Sequence, residues 1–298
     1  MKKTLKVPKL PQPIRTDIYL SKVTGMSRSR VKDLINDELI LVDNQPVKQS
    51  HKLRGGESIS ITICKQKETI NTTIDIPLIY IDEAIIVVNK PPFISVHTGA
   101  GEKATTLIEA VSSRYPIESG VGSKGREGIV HRLDKDTSGV MVIARTHIAY
   151  NSLIRQFSSH KVAKEYIAVV DGNLPLNEGE IKLPIARHPI HRKRMMVLPG
   201  FGRKAITKYK VKERLNDATV LIARPITGRT HQIRVHLSFL GYPIIGDTTY
   251  GRGSRYINRQ ALHAFSIEFT HPLSGEKSKF EAPIPEDLRE LILAVRQN

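Results

Sequence analysis

One carboxylate stands among cations near the middle of the chain. In His131-Arg132-Leu133-Asp134-Lys135-Asp136-Thr137-Ser138-Gly139-Val140, Asp134 lies between Arg132 and Lys135 and is followed by a Thr-Ser-Gly turn. Val140-Met141-Val142-Ile143-Ala144 comes next as an unbroken apolar run, the pattern of a buried strand. A charged loop held against a core strand is how a rigid scaffold presents a reactive group. A carboxylate there can serve as nucleophile or base. Read alone, an exposed Asp such as Asp134 is usually a solvated surface charge, or here the first residue of an Asx turn with Thr137. Arg132 reads either as a surface partner of Asp136 or as a guanidinium free to clamp an anion. His231 and His236 are five apart on a helical stretch. Metal-binding helices place two histidines four apart with a glutamate between them, so no metal site is expected here. Cys64 is the only cysteine, which excludes an internal disulfide and a multi-cysteine zinc site.

The elements that must hold these residues follow from periodicity. Strands are expected at Val140–Ala144, Tyr166–Val170, Thr207–Lys212, Thr219–Ala223 and Leu262–Phe269, and a hairpin at Leu78–Ile81 and Ala84–Val88 around Asp82-Glu83. Helices are expected at Thr105–Ser113, His147–Ser158, Thr230–Leu240 (stopped by Gly241) and Glu286–Arg296. Strands outnumber helices without alternating regularly with them. That favours an α+β fold with a largely antiparallel central sheet flanked by helices.

Ahead of this region, residues 1–13 are rich in Lys and Pro and are expected to be a flexible basic arm. Residues 14–64 read as a small α/β module. Its helix, Ser27 to Asn36, carries Val31, Leu34 and Ile35 on one face and Arg28, Arg30 and Lys32 largely off it, with Ser27 as N-cap. Strands follow at Leu39–Val42 and Ser58–Ile63, with turns at Asp43-Asn44 and Gly55-Gly56. Residues 65–75 are polar and aperiodic, a linker. Residues 76–298 form the larger domain.

The 298 residues carry a net charge of +17 and 40% hydrophobic residues, enough for a sizeable core. Such an excess of positive charge draws polyanions, nucleic acid first and an anionic membrane surface second. No stretch approaches the roughly 20 apolar residues that span a bilayer, and the N-terminus lacks the apolar core of a secretory signal. A cytoplasmic monomer is expected.

The motifs resemble those of RluA-type pseudouridine synthases. His131-Arg132-Leu133-Asp134 followed by Thr137-Ser138-Gly139 is similar to that family's catalytic motif. Asn89-Lys90-Pro91 with Val96-His97 resembles the segment before it, and Lys164-Glu165-Tyr166-Ile167-Ala168 resembles its tyrosine motif. Arg224-Pro225 and Thr227-Gly228-Arg229-Thr230-His231-Gln232-Ile233-Arg234-Val235-His236-Leu237 resemble its arginine motif, continued by Gly246-Asp247, Tyr250-Gly251, Ala261-Leu262-His263-Ala264 and His271-Pro272. The resemblance runs in order over most of residues 78–288. It departs at Phe93 and Thr98, where the family usually has Gly and Pro. Residues 14–64, with Arg15, Asp17, Ser27-Arg28-Ser29-Arg30 and Val42-Asp43-Asn44-Gln45-Pro46-Val47, resemble the S4 RNA-binding domain. A small module with a solvated basic helix face is the alternative reading.

The resemblance implies an isomerase that detaches a uracil from C1′ of its ribose through N1 and rejoins it through C5, without cofactor or metal, most plausibly in 23S ribosomal RNA. It implies Asp134 as the catalytic carboxylate, Arg234 as its partner and Tyr166 as the flat ring for the uracil. Arginine suits that pairing because it stays charged when buried and can grip a carboxylate with two donors. Arg132, His131, Thr137 and Arg229 are expected to contact RNA. So are Arg28, Arg30 and Lys32 in the first module and Arg192, Lys193 and Arg194 in the basic stretch Arg187–Arg194. Two other readings remain at this point: a non-catalytic RNA-binding protein, and a metal-dependent nuclease, which would need several convergent carboxylates.

Overall fold

The computed structural model describes residues 2–24, 28–62, 74–98 and 104–297, without the side chains of residues 2, 3, 29, 30 and 33. The chain divides into two compact units, Met1–Asn71 and Thr72–Asn298. Ser27, the Arg30 side chain and most of the expected linker lie outside the described residues.

The first unit runs β1 (Lys2–Lys6), β2 (Ile14–Arg15), α1 (Thr16–Thr24), α2 (Arg28–Asn36), β3 (Ile40–Val42), β4 (Gln45–Pro46), β5 (Lys52–Leu53) and β6 (Ser58–Thr62). A four-stranded sheet is ordered β1-β6-β3-β4, and β2 pairs with β5. Leu20, Val31, Leu34, Ile35, Ile59 and Ile61 fill its core. The β3–β4 turn has positive φ at Asp43 (49°) and Asn44 (63°), as a two-residue type I′ hairpin requires. The N-terminal segment is not a free arm. β1 pairs antiparallel with β6, Leu5 opposite Ile59, and Val7 is buried. Leu5 and Val7 turn inward while Thr4 and Lys6 are exposed, so alternation survives among the lysines.

The second unit holds the strands β7 (Leu78–Ile81), β8 (Ile85–Lys90), β9 (Gly122–Ser123), β10 (Arg126–Glu127), β11 (Ser138–Ala144), β12 (Ala163–Asp171), β13 (Glu178–Lys182), β14 (Ile185–Arg187), β15 (Met195–Val197), β16 (Ile206–Arg214), β17 (Ala218–Pro225), β18 (Leu262–Thr270) and β19 (Lys277–Glu281). Its helices are α3 (Leu107–Arg114), α4 (His147–Ser158), α5 (Gln232–Phe239) and α6 (Glu286–Gln297). The large sheet is ordered β13-β16-β17-β12-β18-β11-β8-β7, with β19 on β18. Its pairs are antiparallel except β11 with β18. This is the expected α+β class.

Two cores pack on it. One joins β8 and β11 to α3 and α4 through Leu107, Ile108, Val111, Ala149 and Leu153. The other joins β12 and β17 to α5 and α6 through Ile233, Leu237, Leu288 and Leu291. Every residue of β11 is buried, as a strand in the middle of a sheet covered on both faces must be. Gly139 lies opposite Ala264 of β18 with φ of 121°, and a Cβ there would come 2.2 Å from the Ala264 carbonyl oxygen. That close approach explains the glycine of the Thr-Ser-Gly turn. Among the described residues no helix is long and apolar enough to cross a membrane.

Candidate active site

The loop before β11 is pinned from several sides. The Thr137 amide donates to the Asp134 backbone carbonyl (3.1 Å), so the turn closes through the main chain, not through the Asx side chain. Gln260 donates to the Thr137 hydroxyl (3.0 Å), and the Ser138 hydroxyl donates to His263 Nδ1 (2.9 Å). Lys90, fully buried at the end of β8, donates to the carbonyls of Pro91 (2.8 Å), Ile94 (3.0 Å) and Lys135 (2.8 Å). Burial pulls its pKa down to about 7, against the attraction of the Asp136 and Asp134 charges. Three carbonyl acceptors match the three donors of the ammonium form. Buried Arg259 grips Asp287 of α6 with two nitrogens (2.7 and 2.9 Å) and extends Nη1 to the Asp136 carbonyl (3.3 Å).

This backbone hold leaves the Asp134 carboxylate turned to α5. Arg234 Nη1 donates to Asp134 Oδ2 at 2.9 Å, while Arg234 Nε and Nη2 donate to Asp247 at 2.6 and 2.8 Å. The three side chains are 18% (Asp134), 7% (Arg234) and 0% (Asp247) exposed. Burial alone would lower the pKa of Arg234, but the Asp247 carboxylate, and then Asp134, hold the guanidinium charged. α5 is set by Gln232, which accepts from the Thr227 hydroxyl (2.7 Å) and donates to the Ile206 carbonyl (2.9 Å). The helix starts two residues later than expected because His231, its N-cap, takes φ of 55°.

His231 Nε2 lies 3.9 Å from Asp134 Oδ2, and its Nδ1 lies 2.8 Å from the Tyr250 hydroxyl, which accepts the Met195 amide at 2.7 Å. Burial pushes the His231 pKa down, so the imidazole is neutral near pH 7. The Arg234 guanidinium sits over the Tyr250 ring at 5.2 Å. Tyr166, on β12, is opposite Ala264 of β18, and Ala264 is in turn opposite Gly139 of β11. One row across the sheet therefore joins Tyr166 to the end of the Asp134 loop, and a bulge at Glu165/Tyr166 re-aims the strand there. Burial, and then the Asp134 charge, push the Tyr166 hydroxyl's pKa up, so it stays protonated.

Asp134, Tyr166 and Arg234 are thus brought together, but the arginine fork faces Asp247 and gives Asp134 a single donor. Arg132 is exposed, close enough for its charge to act on His231. Two residues expected to contact RNA belong to the scaffold. His131 accepts the Val142 amide at Nε2 (3.1 Å) and stacks on Phe157 at 4.7 Å. Thr137 is buried with its hydroxyl taken by Gln260. Arg229 is half-buried and donates to the Lys204 carbonyl (3.0 Å). Arg192, Lys193 and Arg194 are exposed on the β14–β15 connection, Arg194 lying 5.5 Å from the Tyr250 ring. In the first unit Arg28 pairs with buried Asp17 at 3.0 Å, which commits part of its guanidinium to the fold; Lys32 is half-buried. His236 uses both ring nitrogens on Thr207 and the Leu183 carbonyl (2.9 Å each), leaving neither for a metal. No local signal in the sequence gives a role to Asp247, Tyr250, Lys90 or Arg259. Gly246-Asp247 and Tyr250-Gly251 were visible as motif fragments, yet their contacts with Arg234 and His231 are tertiary.

A buried guanidinium clamped by one carboxylate and aimed at a second, on a loop joined through one sheet row to an aromatic strand residue, is an arrangement suited to acid–base or nucleophilic chemistry. The family model of RNA pseudouridylate synthase matches residues 84–239, more than half the chain. The ribosomal large subunit pseudouridine synthase D of Xanthomonas campestris is 42% identical, covering 95% of this chain and 89% of that protein. Its Escherichia coli counterpart is 40% identical over 91% of this chain and 86% of that protein. The solved structure of human RNA pseudouridylate synthase domain containing 1 superposes with a TM-score of 0.57 at 25% identity, covering 78% of this chain and 98% of that one. The chain belongs to the RNA pseudouridylate synthase family, and its activity class is isomerase.

Proposed function

We propose that this protein is an RluA-type synthase that converts uridine to pseudouridine in large-subunit ribosomal RNA, with Asp134 as the catalytic carboxylate. The carrying observation is the 2.9 Å contact from Arg234 Nη1 to Asp134, made by a guanidinium already locked on Asp247. The relatives named for the ribosomal large subunit support the substrate. In the reaction the N1–C1′ bond breaks, the uracil turns, and a C5–C1′ bond forms. C5 gives up its proton and N1 gains one. Nothing is oxidised and no group is added, so neither cofactor nor metal is required.

Arg234 sets a fixed positive charge and one hydrogen bond against the half-buried Asp134 carboxylate. Tyr166 offers a ring face to the uracil and a protonated hydroxyl near C5. Arg132, exposed two residues before Asp134, fills the gap left by the extruded nucleotide. The first unit, residues 14–64 above all, is an S4-like RNA-binding domain using Lys32 and the free part of Arg28, and Arg192, Lys193 and Arg194 meet phosphates. The nuclease reading is disfavoured because Asp134 and Asp247 share one arginine, whose positive charge opposes a metal ion there.

The test is release of tritium from ribosomal RNA carrying 5-tritiated uridine, in the presence of a chelator. Release without strand cleavage is expected. Cleavage, or loss of activity on chelation, would overturn the reading.

A further inference from the structure

Phe93 stands in the turn Pro91-Pro92-Phe93-Ile94 with φ of +66° and is 53% exposed. A proline followed by a positive-φ residue is the arrangement of a type II turn, whose third position favours glycine. A bulky L-residue there is a genuine outlier, and its backbone strain is not offset by burial of the ring. The turn is nonetheless rigid. Lys90 Nζ donates to the carbonyls on both sides of it, Pro91 and Ile94, and with its third proton to Lys135, the neighbour of Asp134. One ammonium thus ties the Phe93 turn to the backbone of the Asp134 loop. An aromatic ring, half in water, stands on a turn that one ammonium ties to the loop carrying Asp134.

We propose that Phe93 is a stacking platform for a nucleobase of the RNA substrate flanking the target uridine. The inference rests on the isomerase reading above. A uridine drawn from its stack leaves neighbouring bases with an uncovered face, and aromatic side chains are the usual partners for such faces. A turn whose backbone is already tied down by Lys90 loses little freedom when a base settles on its ring. Stacking is uncharged, so this contact differs from the phosphate contacts of the basic loop.

The experiment compares full-length wild type, Phe93→Gly and Phe93→Tyr on a 5-tritiated transcript of large-subunit ribosomal RNA. Phe93→Gly relieves the backbone strain, so its melting temperature should equal or exceed that of wild type. Its RNA dissociation constant should rise about tenfold, within the range for loss of one stacked base. The single-turnover rate at saturating RNA should fall much less, and the slope of log affinity against log salt should not change. Phe93→Tyr should restore wild-type affinity. If wild type releases tritium and Phe93→Gly binds equally well, the stacking role is overturned while the isomerase stands. It is also overturned if Phe93→Tyr loses as much affinity as Phe93→Gly. A wild type that releases no tritium overturns both.

Discussion

Arg234 turns the Nε–Nη2 edge of its guanidinium to Asp247, at 2.6 and 2.8 Å, and reaches Asp134 with Nη1 alone, at 2.9 Å. Asp247 also accepts the amides of Thr249 (2.9 Å) and Tyr250 (3.1 Å). The bidentate contact fixes the plane of the guanidinium, and the plane fixes where Nη1 points. Asp247 is therefore a positioning residue for Asp134, acting through Arg234.

Asp247→Asn should damage both stability and rate. An amide in that place turns a donor toward a buried arginine edge. Breaking a buried ion pair from one side costs about 3–5 kcal/mol. Denaturant unfolding should show a loss of that order, and single-turnover rates should fall about a hundredfold, roughly 3 kcal/mol of barrier. A variant with normal kinetics would show that Nη1 finds Asp134 without Asp247.

Stability should fall on acidification in a window set by buried histidines. Burial pushes the His131 pKa down to about 3, with the Lys164 charge adding, and burial pushes His263 down to about 4. An unfolded histidine takes up its proton near about 6.5. The unfolded chain therefore binds more protons than the folded one below that pH, and stability rises with pH there. The contribution is complete above about pH 6.5 and is lost as pH falls toward 4 for His263 and 3 for His131. His131→Gln keeps an acceptor for Val142 but does not titrate, so its unfolding midpoint should decline less steeply over this window. Equal slopes for variant and wild type would place His131 in a solvated setting instead.

Arg192→Gln combined with Lys193→Gln should leave the melting temperature unchanged, because both side chains are exposed. RNA affinity should fall, and the slope of log affinity against log salt should become shallower by up to about 0.7–0.9 per lost phosphate contact. An unchanged slope would remove this loop from the RNA-contacting surface.

What the sequence discloses here depends on range. β11 and the Asp134 loop are legible because the unbroken apolar run Val140–Ala144 follows a local turn signal, and α4 is legible from its apolar periodicity. β1 is hidden because three of its five residues are lysines, and its inward Leu5 is followed by buried Val7 only beyond the strand end. His131 and Thr137 look like ligand contacts from their neighbourhood, yet their polar atoms meet the Val142 amide and Gln260, and no local pattern reports that. Arg28 likewise appears as a free basic charge until Asp17, buried one helix earlier, claims part of it. The Asp134–Arg234 pair is legible through family motifs, whereas the fork on Asp247 depends on the packing of α5 against the loop that follows it.

The most direct test is Asp134→Asn. The substitution is nearly isosteric, removes the carboxylate charge, and leaves Arg234 held by Asp247. Tritium release from ribosomal RNA, measured in single turnover, should fall by at least about a thousandfold, some 4 kcal/mol of barrier, while RNA affinity and melting temperature stay close to wild type. Turnover within tenfold of wild type would contradict the assignment of Asp134 as the catalytic carboxylate.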